Sequence, residues 1–342
     1  MAMKRIGKEK RPEVVVITGA SSGIGRATAR RFARDGARIG LLARGIEGLE
    51  GARRDVEILG GEALPIPTDV SDPAQLEAAT STIEEHLGPI DIWINNAMVS
   101  VFSPVKEMQP EEYRRVTEVT YLGYVYGTLS ALKRMSPKDH GTIVQVGSAL
   151  AFRGIPLQSA YCGAKHAVQG FTESVRSELL HDHSHVWVTM VHLPASNTPQ
   201  FNWVKTRLPR KPQPYPPVFQ PEVPAEAIYY AAHHRRREMF VGWPTLKTVI
   251  GNRLAPGYVD RVLANTGYEG QQYNGLVEPG RQDNLWQPVP IDFGAHGDFD
   301  QRAKSSSWLL WTDMHQNLVA LGLSGMAVLA FVISRAISKG KA

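Results

Sequence analysis

Tyr161 and Lys165 are the residues whose types and spacing most directly suggest chemistry. At i and i+4 they share one face of a helix. A phenol titrates near pH 10 when unperturbed, so its use as a base near neutrality needs a downward shift of about 3 units, roughly 4 kcal/mol in favour of phenolate. A neighbouring ammonium shifts a phenol in that direction, and Lys165 is the local source. Ser148 follows the run Thr142-Ile143-Val144-Gln145-Val146, whose near-continuous, β-rich character reads as a buried parallel strand. Ligands of open α/β sheets bind outside the carboxyl ends of such strands, where a hydroxyl can hydrogen-bond a carbonyl oxygen as it becomes an alkoxide. Taken alone, these residues also read as a surface Tyr/Lys pair and a capping serine.

The elements that must position them begin with the stretch from Val14 to Arg26. An apolar strand runs into Thr18-Gly19-Ala20-Ser21-Ser22-Gly23-Ile24-Gly25 and then into a helix. A helix N-terminus offers unpaired N–H groups and a positive dipole end, which is how a backbone is brought to a phosphate. Gly19 permits the tight turn, Gly23 the close approach of a pyrophosphate, and Gly25 close packing of helix on strand. The same spacing also fits a plain tight turn.

Strands and helices then alternate with short connections. Strands are expected at Arg38–Ala43, Ala63–Pro67, Ile90–Asn95, Gly141–Gly147, Val186–Leu193 and Met239–Val241. Helices are expected at Ile24–Asp35, Ile46–Leu59, Pro73–Leu87, Pro110–Met135, Ser159–Leu180 and Pro224–Arg236, the third with Ser71 or Asp72 as N-cap. Such alternation with right-handed crossovers predicts an α/β fold, a doubly wound (Rossmann) parallel sheet of about seven strands. The expected organisation is a basic segment at 1–11, a dinucleotide-binding and catalytic domain at 12–245, an irregular C-terminal extension at 246–305, and a hydrophobic tail helix at 306–342.

The chain has 342 residues and a net charge of +5, with Lys and Arg scattered except at the ends. A nucleic-acid partner is not expected, since no basic stripe with interleaved aromatics is present. The single cysteine, Cys162, rules out an internal disulfide and fits a reducing compartment. No secretory signal follows the basic start, so a cytoplasmic catalytic domain is expected. His181, His183 and His185 fall where a helix must turn into a strand and read as a solvated turn, so no metal site is expected.

Four motifs, Thr18 to Gly25, Asn95-Asn96-Ala97, Ser148, and Tyr161 to Lys165, stand in the order and spacing of the short-chain dehydrogenase/reductase family. The chain resembles that family's common type over about residues 12–245. The resemblance implies Tyr161 as proton donor or acceptor, Lys165 also holding the nicotinamide ribose, and Ser148 orienting substrate. It further implies a cofactor lined by Gly19, Ser21, Ser22, Gly23, Ile24 and Gly25, with Asp69-Val70 beside the adenine and Asn95 near the ribose. The end of the second strand carries Arg44 and no acid before Glu47; an arginine there pairs with a 2′-phosphate, so NADP(H) is expected in preference to NAD. Departures from the family pattern are Thr120 where a relay asparagine is usual, Met98 for a glycine, Ala195 for the glycine of Pro-Gly, and Thr198 one position nearer than the usual nicotinamide-contacting threonine. Homo-oligomers built on the helices at 110–135 and 159–180 are also implied.

The expected function is an NADP(H)-dependent oxidoreductase moving hydride between nicotinamide and a small-molecule carbonyl or alcohol of lipophilic character. A catalytically idle nucleotide-binding sensor or scaffold is the alternative suggested by Thr120, Met98 and Ala195. The proline-rich, aromatic segment from Asn197 to Pro224 reads as a lid or pocket wall, or as a surface arm. Gly267 to Asp300 reads as an irregular wrap without chemistry. Leu318 to Ser334 is a run of about 17 uncharged residues, near the lower limit for a membrane span. It is expected to anchor the chain, with a buried oligomer helix or a helix lying in the membrane surface as alternatives.

Overall fold

The structure, a computed structural model, describes residues 11–319. The strands β1 (Val14–Thr18), β2 (Arg38–Ala43), β3 (Glu62–Pro67), β4 (Ile92–Asn95), β5 (Thr142–Ser148), β6 (Trp187–Leu193) and β7 (Glu238–Phe240) form one sheet. All pair in parallel, in the spatial order β7-β6-β5-β4-β1-β2-β3. Strand order therefore reverses between β1 and β4, and the crevice at that reversal is where doubly wound sheets bind ligands.

Eleven helices surround it among the described residues: α1 (Gly23–Ala33), α2 (Ile46–Ile58), α3 (Pro73–Leu87), α4 (Pro110–Thr117), α5 (Gly123–Met135), α6 (Ser159–His181), α7 (Gln200–Trp203), α8 (Glu222–His233), α9 (Trp243–Leu254), α10 (Pro256–Thr266) and α11 (Trp308–Met314). Successive side chains of β1 point to opposite faces. Val15 and Ile17 join Phe32 of α1, Val56 of α2 and Ile228 of α8 in one core. Val14 and Val16 join Ile83 of α3, Met135 of α5 and Val175 of α6 in the other. The helix α3 starts where expected: the Asp72 carboxylate accepts the Ala74 and Gln75 N–H groups, with Pro73 at the first helical position.

Two expectations are corrected. The single helix expected at 110–135 is two, α4 and α5, joined by a π-helical turn at Glu118–Leu122. Thr120, in that turn, is fully buried and fastened to the chain leaving β4: its hydroxyl donates to Val99 O (2.9 Å) and accepts Val99 N–H (3.1 Å). Second, the extension contains the helices α9 and α10 and a strand, Gln272–Leu276, that pairs antiparallel with Arg210–Pro212. No helix among the described residues is long and apolar enough to cross a membrane. From residue 320 onward, the expected anchor lies outside the described residues.

Candidate active site

At the carboxyl edge of the sheet lies a cleft of about 750 Å³, in the upper part of the roughly 300–1,000 Å³ range of small-molecule sites. Gly19, Ser21, Ser22, Gly23, Ile24, Arg44, Asp69, Val70, Ser148, Tyr161, Lys165 and Thr198 all line it. Gly25 does not; a Cβ there would run into the Gly19 carbonyl, so its role is helix-on-strand packing. Gly19 (φ +68°) and Gly23 (φ +55°) adopt left-handed conformations that side chains disfavour. Asn96 ties this turn to the end of β4, its amide donating to Thr18 O (2.9 Å) and Gly19 O (3.2 Å).

At the other end, Tyr161 sits in the first turn of α6, where the helix dipole favours negative charge. The Ser148 hydroxyl is near enough to its phenol to favour phenolate. Ser148 Oγ accepts the Leu150 N–H (3.1 Å), which leaves the serine proton free to be donated. Lys165, only 2% exposed, donates to Tyr124 Oη and Val146 O, each at 2.8 Å, and its Nζ lies 5.7 Å from the centre of the Tyr161 ring. Burial pushes Tyr161 well above the usual phenol value; the nearby Ser148 hydroxyl opposes this without reversing it. Burial also brings Lys165 down to about 7. The protein groups alone thus leave the phenol protonated at neutral pH, contrary to the downward shift a base requires.

Two expected site residues are used differently. Asn95 lies outside the cleft, fully buried in a network that accepts Trp93 Nε1 (2.8 Å) and donates to Gln145 Oε1 (3.0 Å) and Thr128 Oγ1 (3.1 Å). It cross-links β4, β5 and α5 instead of meeting a ribose. Thr120 has its hydroxyl committed to Val99, so it is no proton relay through that group.

The stretch 284–294 is a strap over the Arg44 end, where the sequence suggested no chemistry. Asn284, Pro288, Val289, Ile291 and Phe293 line the cleft. Arg44 donates to the carbonyls of Asn284, Leu285 (3.4 Å) and Trp286 (3.0 Å). Arg115 donates to the same Leu285 carbonyl (3.1 Å), to Ser71 Oγ (2.7 Å) and to Asp69 Oδ2 (2.6 Å). Arg26 pairs with Asp292 of the strap and with Asp55, and Gly23 N–H donates to Gly294 O (3.1 Å). Leu285 itself is fully buried, in one core with Leu42 and Val70. Burial and the nearby Arg115 charge lower Arg44 below its ordinary value, with Asp69 partly offsetting. Burial raises Asp69, but the Arg115 and Ser71 bonds more than offset this and hold it below the usual carboxylate value. Arg26 is matched by Asp55 and Asp292 and Arg115 by Asp69, whereas the hydrogen bonds of Arg44 go to neutral carbonyls.

The helices α9 and α10 roof the Tyr161 end with Pro244, Thr248, Gly251, Tyr258, Val259 and Val262. They are latched by Arg153, which pairs with Asp260 and donates to Asn252 Oδ1 (3.1 Å). Phe201, Trp203, Val204 and Tyr215 of the proline-rich segment form a side wall. Neither Arg115, Tyr124, the strap nor the roof was found from sequence. Asn96 was within reach as part of the Asn-Asn-Ala motif.

Residues 13–207 match the short chain dehydrogenase family. The chain is 30% identical over 334 residues to the uncharacterized oxidoreductase YxnA of Bacillus subtilis, covering 97% of this chain and 92% of that one. It is 30% identical over 258 residues to a fatty acyl-CoA reductase of Acinetobacter baylyi, covering 75% and 84%. A metagenomic short-chain oxidoreductase solved in complex with NADP superposes with a TM-score of 0.56 at 26% identity, over 67% of this chain and 96% of that chain. With this sheet order and cleft, the chain belongs to the short-chain dehydrogenase/reductase family.

Proposed function

We propose that the chain is an NADP(H)-dependent oxidoreductase that interconverts a lipophilic ketone and its secondary alcohol, with Tyr161 handling the proton. The observation that carries this reading is that Tyr161 and Ser148 line one cleft together, with Tyr161 one helical turn from the buried Lys165.

A nicotinamide dinucleotide, when bound, supplies or accepts the hydride. The chain's residues fit such a group: Gly19 and Gly23 leave no side chain between backbone and ligand, and the first N–H groups of α1 lack intrahelical partners. The Arg44 guanidinium, held by neutral carbonyls and by no carboxylate, fits a 2′-phosphate better than a bare hydroxyl. Three of the five Arg44 N–H donors are spent on the strap, and two remain for an anion. Ser148 orients the carbonyl oxygen by donating to it. Tyr161, kept protonated by burial, gives its proton to that oxygen as negative charge develops there. In the oxidation direction the phenol must first lose its proton, which the Lys165 ammonium favours. The apolar roof of Val259 and Val262 and the Phe201 wall exclude water and favour an apolar substrate body. The similar Acinetobacter protein, named for a fatty acyl substrate, supports that class.

The test is loss of NADPH absorbance over a panel of apolar ketones and aldehydes, with Tyr161→Phe as control. Turnover by the unmodified chain and none by the variant supports the reading. Silence of both, with NADPH still bound, overturns it. That outcome would favour a nucleotide-binding sensor, a reading favoured by the strap's occupation of Gly23 N–H and Arg44.

A further inference from the structure

Lys165 is a buried cation with no carboxylate partner among the described residues. Its Nζ has two protein acceptors, both neutral: the Tyr124 phenol oxygen and the Val146 carbonyl, each at 2.8 Å. Tyr124, from α5, is 1% exposed and donates its own proton to the same Val146 carbonyl (3.0 Å). Ammonium, phenol and carbonyl therefore close a triangle of three hydrogen bonds. Tyr124 offers an oxygen lone pair to Lys165 because its proton is already placed on Val146. The π-helical turn at Glu118–Leu122 immediately precedes α5 and so sets the direction in which Tyr124 leaves the helix. Since Thr120 is committed to Val99, the contact of this helical segment with Lys165 comes from Tyr124.

We propose that Tyr124 is a positioning residue for the reaction: its phenol oxygen holds Lys165 in the ammonium form and fixes it one helical turn from Tyr161. This rests on the oxidoreductase reading above. The titratable side chains around the ammonium are Tyr124 from α5 and Tyr161 from its own helix, with Cys162 beside Tyr161. From β5 it meets only the Val146 carbonyl. Burial has already brought Lys165 down to about 7, so its charge near neutrality depends on these two acceptors. An acceptor that hydrogen-bonds the charged form favours it. Without the Tyr124 oxygen, the amine gives up its proton at lower pH, and Tyr161 loses the charge that favours phenolate.

The test is Tyr124→Phe in the full chain, followed as kcat for alcohol oxidation against pH. The rising limb moves up by about one to two pH units, equivalent to a 10- to 100-fold loss of rate at fixed pH below the limb. Tyr124→Gln, which returns an oxygen acceptor on a shorter arm, recovers part of the shift. A purely structural role lowers melting temperature but leaves the limb in place, and that result overturns the proposal. NADPH affinity against pH, read by fluorescence, separates the two readings. If the unmodified chain turns over no substrate while Tyr124→Phe still lowers the pH at which NADPH is released, the reaction fails and the placement of Tyr124 stands. If the chain turns over and Tyr124→Phe changes neither profile, the placement fails alone.

Discussion

At the Tyr161 end of the cleft, the working groups come from consecutive elements: Ser148 closes β5, and Tyr161 and Lys165 open α6. At the Arg44 end, the wall is made by residues 240 positions away in the chain, as in the bond from Arg44 to Asn284. The first end is a matter of helical period and strand termini. The second is assembled by an irregular segment whose backbone carbonyls meet Arg44 and Arg115 and whose Asp292 carboxylate meets Arg26. One end is therefore tuned by burial of ionisable groups, and the other by how charge is distributed between strap and ligand.

Substitutions at each end sharpen that contrast. The largest effect belongs to Tyr161→Phe, which removes the proton donor and lowers kcat by about 10²- to 10⁴-fold. NADPH affinity, measured by fluorescence titration, stays within a few fold, because the phenol lies beside Ser148 and makes no bond to the strap. Equal losses in kcat and binding would mean that the two ends are not separable.

Leu285→Ala strikes the other end. The side chain is fully buried against Leu42 and Val70, so its truncation costs about 2–5 kcal/mol in urea unfolding. An unfolding midpoint that does not move would show that the strap is peripheral to the fold. Arg44→Ala follows in size. Losing hydrogen bonds to a charged group costs about 1.5–3 kcal/mol, so NADPH binds about 10- to 100-fold more weakly while NADH changes little. Equal weakening of both cofactors would assign Arg44 to the strap alone.

The same contrast explains what the sequence could say. The seven strands were legible because buried parallel strands are short apolar runs bounded by Gly, Pro and caps, as in Val14–Thr18 and Thr142–Ser148. The Tyr161–Lys165 pair was legible because four residues make one helical turn. Tyr124 was not, because its direction depends on a π-helical turn that carries no apolar signature. Asn95 was misjudged, since its type suits a ribose as well as a buried network, and only the register of β4 against β5 decides between them. The strap was missed because Gly- and Pro-rich chain has no period, and its contacts run to Arg26, Arg44 and Arg115 across most of the sequence.

The smallest expected effect is one of stability, and its sign follows from burial at the Tyr161 end. Lys165 titrates at about 7 in the folded chain against an ordinary value of 10.5. Below pH 7 both folded and unfolded chains carry the proton, and the full cost of burying the ammonium is felt. Between about 7 and 10.5 the unfolded chain binds more protons, so this group's contribution to stability rises with pH across that window. Lys165→Met removes the charge and relieves a cost on the order of 1–4 kcal/mol. It also strips Tyr124 Oη of its donor, which costs about 1–3 kcal/mol, although Val146 O keeps the Tyr124 proton. The balance is a gain on the order of 1 kcal/mol at pH 6, shrinking as pH rises and turned into a loss by about 10.5, where only the missing bond to Tyr124 remains, read as the difference in melting temperature between the two chains. A gain that grows with pH would mean that Lys165 is stabilised as an ammonium by a partner other than the two neutral acceptors, and the account of this end of the cleft would fall with it.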